Sequence, residues 1–274
     1  MTVAVITDSA ASLPPDLARD RGVTVVPLRL RFGGDEVRDS DISVEEAVRR
    51  ADRTVQTSGP PPAEYAEAID ATGADAVLVL TISSHMSSTF DAARAGAAAA
   101  SVPATVLDTG TAGGAQGLVV LAAAAEAAAG ADLATVEAAA KEASAAVRLV
   151  AAVDSLDSLV RSGRVPGIAG WAGNRLGLRP LFSFRSGKVH RMTPATSPEQ
   201  ATSHILRTWR RARRDGYALH VAVLHAQNPA GAADLLEHVR REEEPASAFT
   251  GEFSPVMVVH TGPLLGLAWR YARL

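Results

Sequence analysis

Short apolar runs alternate with longer alanine-rich stretches through the first 150 residues. The runs at 3–6, 23–31, 76–81, 104–107 and 147–153 are rich in Val, Ile and Leu, as expected of strands buried on both faces. Between them the spacing predicts helices near 15–21, 44–53, 63–71, 89–100, 115–129 and 133–146. Ser43 with Glu46 reads as a capping box, and Gly130 and Asp132 separate the last two helices. Strands alternating with helices predict a parallel sheet covered on both faces. Gly33-Gly34 reads as a hairpin tip, which places an antiparallel ribbon at one edge.

Beyond residue 153 the pattern changes. Residues 163–180 collect glycine and proline, with a short helix predicted around 171–176. Two short strands flank Ser186-Gly187, a helix starts at Ser197-Pro198, a strand covers 218–225 and a helix begins at Pro229. Strands at 256–260 and 265–271 complete the chain. The expected architecture is α/β in two domains: a parallel one over 1–153, and a smaller one of mixed strand direction over 154–274.

Composition narrows the function more than the fold. The chain has 27 basic against 30 acidic side chains, a net charge of −3, without the basic excess of a nucleic-acid binder. The absence of cysteine excludes disulfides, thiolate metal sites and a cysteine nucleophile. The longest uncharged apolar stretch, 109–125, is interrupted by glycines and too short to span a bilayer. No basic segment precedes the apolar opening, so a cytoplasmic protein is expected.

Dinucleotide and Walker phosphate loops, the nucleophile elbow and the zinc-protease helix are all missing. The seven histidines are scattered, so neither metal nor cofactor is expected. The basic cluster Arg207, Arg210, Arg211, Arg213 and Arg214 reads as a solvated helix face, with partner docking as the other reading.

Three hydroxyl clusters stand at or near strand ends: Thr7-Asp8-Ser9, Thr57-Ser58-Gly59-Pro60, and Ser83-Ser84-His85-Met86-Ser87-Ser88-Thr89. Ligands of open α/β sheets bind beyond the carboxyl ends of the strands, where helix N-termini favour anions. Neutral hydroxyls there can hold a carboxylate without a countercharge; ordinary helix capping explains the same residues, and both readings stand. His260 precedes a Gly-Pro turn and is either structural or functional on its own.

The ordered series Val5-Ile6-Thr7-Asp8-Ser9, Val26-Pro27-Leu28, Asp39, Thr57-Ser58-x-Pro60, Ile82-Ser83-Ser84-x-Met86-Ser87-x-Thr89-Phe90 and Asp108 resembles the DegV family of bacterial fatty-acid-binding proteins. Leu156-x-x-Leu159-x-x-x-Gly163-Arg164, Pro180, Gly187-Lys188 and His260-Thr261-Gly262-Pro263 extend the resemblance over the whole length. It implies a two-domain α/β protein enclosing a long-chain fatty acid, whose carboxylate meets Thr57, Ser58, Ser83, Ser84 and His260. It further implies the acyl-carrying subunit of a fatty-acid kinase, active in phospholipid metabolism and with possible transient membrane contact. A separate subunit with a dihydroxyacetone-kinase-like domain would phosphorylate the carboxylate, and Arg164 would meet that partner or the phosphate. Departures from the family pattern fall at Gly59, Ser88, Thr196-Ser197-Pro198 and Leu264. The alternatives are a serine hydrolase or acyltransferase using Ser83 or Ser84 with His85 or His260, and a fatty-acid-responsive regulatory module without a kinase.

Overall fold

The computed structural model describes residues 1–51, 54–153, 160, 163, 178–185, 188–262 and 264–273. The chain opens with β1 (Val3–Asp8), α1 (Pro15–Asp20) and β2 (Val23–Val26), then β3 (Arg29–Phe32) and β4 (Asp35–Arg38). Next come α2 (Val44–Arg50), β5 (Gln56–Ser58), α3 (Pro62–Asp70), β6 (Ala76–Thr81), α4 (Thr89–Ala99) and β7 (Ala104–Asp108). Two consecutive helices, α5 (Gly113–Ala128) and α6 (Leu133–Ala146), lead to β8 (Arg148–Val153). The remainder is β9 (Leu181–Arg185), β10 (Lys188–Arg191), α7 (Pro198–Arg210), β11 (Tyr217–His225), α8 (Pro229–Glu242), β12 (Ser247–Glu252), α9 (Pro255–Thr261) and β13 (Leu264–Arg273).

The expected parallel sheet is present, in the order β2-β1-β6-β7. Alternation along each strand decides which helices cover which face. Ile6, Val77 and Val79 pack with Tyr65, Ile69 and Ala93 of α3 and α4, whereas Val5, Leu78 and Leu80 turn toward α5 and α6. A six-stranded mixed sheet, β10-β9-β8-β13-β11-β12, forms the second layer, and β4-β3-β5 make a small third sheet. Helix α5 lies between the two large sheets, packing on β1 from one side and on β11 and β13 from the other. Its apolar residues are therefore buried almost all round, as a helix enclosed in a core must be. Gly114 permits the approach: a Cβ there would stand 2.8 Å from the Ala222 Cβ.

Several elements differ from the pattern reading. Residues 256–260, expected as a strand, form most of α9, because a run of only four apolar residues (256–259) fits either period and Pro255 at the first turn starts a helix. The run 23–31 divides at Pro27, which has no N–H for a ladder, so its halves join different sheets. The ribbon at Gly33-Gly34 is β3–β4, belonging to the small sheet rather than the edge of the parallel one. The strand at 147–153 pairs antiparallel with β13 and β9 and so belongs to the six-stranded sheet. Thr57 and Ser58, read as loop, are on β5 opposite Leu30 and Arg29. Strand β12 is polar enough (Ser-Ala-Phe-Thr-Gly-Glu) to escape a hydrophobicity pattern. The helix expected at 171–176, the turn at Ser186-Gly187 and Arg164 lie outside the described residues.

Candidate functional site

The carboxyl end of β1 organises the site. Asp8 is fully buried and accepts hydrogen bonds from the N–H of Ala10 (3.0 Å), the N–H of Ile82 (2.8 Å) and the Gln116 side-chain amide (3.1 Å). Burial nonetheless pushes its carboxyl up to about 6, because three donors do not replace full hydration. The Ser9 hydroxyl donates to Asp39 (2.7 Å) and accepts the Leu28 N–H (2.9 Å). The Asp39 N–H closes the loop on the Leu28 carbonyl (2.9 Å). Burial, reinforced by the charge of Asp8, pushes Asp39 up to about 7 against the Ser9 hydrogen bond. Ala10, Leu28 and Ile82 are thus fixed by side chains of one dipeptide, Asp8-Ser9, and all three line the same cavity.

That cavity, about 160 Å³, is bounded by Thr57, Ser58, Met86, Met257 and His260, among others. Thr57 Oγ1 and His260 Nε2 are 2.7 Å apart although 203 residues separate them. β5 presents Thr57 by pairing with β3, and the last turn of α9 presents His260. Either group can be the donor in this contact; when the imidazole Nε2–H donates, the Thr57 hydroxyl keeps its own hydrogen for an entering oxyanion. Gly59 has a local reason: a Cβ would come within 2.7 Å of the Thr89 hydroxyl and 3.3 Å of its Cα, at the start of α4.

The remaining sequence candidates stand beside this pair in another role. Ser83 is buried; its N–H donates to the Thr111 carbonyl (2.9 Å) and its hydroxyl accepts the His85 N–H (3.3 Å). Ser84 is exposed and gives both its hydroxyl (2.5 Å) and its N–H (3.1 Å) to Asp108. These contacts hold the loop, while its later residues Met86, Ser87 and Ser88 face the cavity. The structure therefore brings together Thr57, Ser58 and His260; Ser83 and Ser84 are not among the cavity-lining residues. Gln116 and Met257 have no mark in the sequence, since an amide or thioether on an apolar helix carries no signal of its own, whereas Met86 belongs to the 82–90 motif without a role read from it. In the arginine cluster, Arg210 binds Glu242 (2.5 Å) and Arg213 binds Glu243 (3.0 Å), tying α7 to α8.

The hydroxyl–imidazole pair thus lines an apolar cavity beyond the carboxyl end of the parallel sheet, enclosed by the small sheet, the 82–88 loop and α9, in a protein of two large α/β layers. The chain belongs to the DegV family, whose model ("Uncharacterised protein, DegV family") matches residues 2–272. A DegV domain-containing protein of Mycobacterium tuberculosis is 34% identical, over 97% of this chain and 93% of that protein. One from Streptomyces coelicolor is 33% identical, over 97% of each. Among solved structures, a DegV family protein from Thermus thermophilus, described as fatty-acid binding, superposes with a TM-score of 0.91 at 28% identity, covering 99% of this chain and 100% of that one. DegV of Bacillus subtilis, described as a fatty acid binding protein, gives 0.87 at 25% identity, covering 99% of each. Among the described residues no helix is long and apolar enough to cross a membrane.

Proposed function

We propose that this protein binds a long-chain fatty acid, with the carboxylate at Thr57, Ser58 and His260 and the Ser83–Ser84 loop packed beside it. The 2.7 Å contact between Thr57 and His260 at an apolar cavity carries the reading, because an Nε2–H that donates to Thr57 orients the hydroxyl and leaves its hydrogen for an oxyanion. The relatives described as fatty-acid binding support the ligand class. Each buried methylene is worth about 0.8 kcal/mol, so some fifteen of them contribute up to ~12 kcal/mol before ordering costs. The tail supplies affinity and the hydroxyls fix the head.

A cavity of about 160 Å³ is smaller than the ~300–1,000 Å³ usual for a ligand site. A long chain therefore enters by moving side chains, and Met86 and Met257 are suited to this, being unbranched and adaptable. Native mass spectrometry of freshly purified protein is expected to show a co-purifying fatty acid. Protein that is empty and takes up no added fatty acid would overturn the reading.

In the finer form of the proposal, the held carboxylate is presented to a kinase subunit with a dihydroxyacetone-kinase-like domain, and Arg164 meets that partner or the transferring phosphate. The bound acid then needs no nucleophile from this chain. Mixing the protein with such a subunit, ATP and fatty acid is expected to form acyl phosphate. Binding without acyl phosphate would leave the carrier and remove the kinase. In the described structure the hydroxyl of Ser84 is committed to Asp108, which disfavours a serine hydrolase.

A further inference from the structure

A second polar cluster lies on the face of the six-stranded sheet that α5 and α6 cover. Arg270, His220 and Ser247 stand in one row across β13, β11 and β12: His220 is the register partner of both Arg270 and Ser247. All three are half-buried. The Arg270 Nε is buried without a hydrogen-bond partner, and no ion pair reaches its guanidinium among the described residues. Glu142 on α6 acts on it only through its field. A cation partly withdrawn from water is ordinarily paired, so an unpaired one requires an explanation.

The neighbouring pair supplies one. His220 Nδ1 is 2.7 Å from the Ser247 hydroxyl. Burial and the charge of Arg270 push His220 down to about 4, which leaves a neutral ring with one N–H. If Ser247 donates to Nδ1, the ring keeps an Nε2–H donor; if Nδ1–H donates to Ser247, the hydroxyl keeps its own. In both tautomers one donor is left in the same row as a guanidinium whose Nε has no acceptor among the described residues. Glu142, the nearby carboxylate, does not fill that place.

We propose that Arg270, His220 and Ser247 form a binding site for a small oxyanion of the phosphate class, separate from the Thr57–His260 cavity. The guanidinium supplies the charge and the His220–Ser247 pair the additional donor.

Inorganic phosphate, titrated into the full chain at constant ionic strength with chloride as control, tests it. Saturable shifts of the His220 ring resonances are expected, with affinity roughly tenfold or more weaker in Arg270→Gln, the loss that follows from one charged hydrogen bond. Methyl phosphate distinguishes sources: equal binding supports a phosphate ester as ligand, and binding of inorganic phosphate alone supports the free ion. If neither binds, or if Arg270→Gln binds equally well, the proposal falls. Should Arg270→Gln fail to fold, the His220 titration in wild type and Ser247→Ala decides. Phosphate is expected to raise the His220 midpoint by offsetting Arg270, less so without the hydroxyl. An unchanged midpoint in wild type overturns the site.

Discussion

Thr57 and His260 illustrate how little a single residue reveals until its partner is known. Each is an ordinary polar side chain on a short element, and the 2.7 Å contact between them makes both candidates for one site. Thr57→Ala removes one neutral hydrogen bond, worth about 0.5–1.5 kcal/mol. Calorimetry with a fatty acid is expected to show a two- to roughly tenfold loss of affinity. Thr57→Ser keeps the hydroxyl and is expected to restore most of it. Ser84→Ala releases Asp108 and loosens the loop, so it is expected to act more weakly than Thr57→Ala. If Ser84→Ala proved the more damaging, the carboxylate would belong nearer Ser84 than proposed.

At the scale of elements, α5 is the part on which both sheets depend. Its amino-terminal turns are glycine-rich because they press on β11: a Cβ at Gly114 would lie 2.8 Å from the Ala222 Cβ and 3.2 Å from the Leu224 Cγ. Overpacking of this kind costs about 1–3 kcal/mol. Gly114→Ala is expected to lower the urea midpoint accordingly, despite the better helix propensity of alanine. A midpoint at or above wild type would mean that the sheets separate easily. Helix α9 shows the opposite limit of pattern reading. Its apolar run suits a strand by composition, and Pro255 together with the chain's approach to Asp39 and Ser12 sets it as a helix that carries His260.

The whole molecule balances two sets of buried titratable groups. Asp8 and Asp39 have folded-state values raised from 3.8 to about 6 and about 7. The folded protein therefore holds protons there that the unfolded chain has released, and the associated stability is lost as pH rises through that window. His220, lowered from 6.5 to about 4, and His225, also lowered by burial, do the reverse: their contribution is lost as pH falls. Urea denaturation of the wild type is thus expected to show a shallow dependence between pH 5 and about 6.5. Asp39→Asn leaves the histidines less opposed and is expected to lose stability on acidification; His220→Gln is expected to gain it. The difference between the variants across that window should be on the order of 1–3 kcal/mol. Parallel curves would show that these groups are solvated in the folded state.

The alternation of strands and helices up to α6, the caps at Ser43, Asp132 and Ser197, and the hydroxyl clusters were legible because periodicity, capping and turn chemistry act over a few residues. The sheet membership of 147–153, the small sheet built on β3, the helical state of 256–260 and the polar strand β12 were not, because each depends on what the segment packs against. The site divides in the same way. From the sequence came an α/β protein resembling the DegV family, with Thr57, Ser58, Ser83, Ser84 and His260 as carboxylate candidates and Arg164 as a partner or phosphate contact. The folded chain alone shows that Thr57, Ser58 and His260 share one cavity, that Ser84 faces Asp108, and that the Arg270 Nε has no hydrogen-bond partner among the described residues. Hydrogen bonds and burial are short-ranged in space, and 203 residues of chain between Thr57 and His260 carry no local trace of their contact.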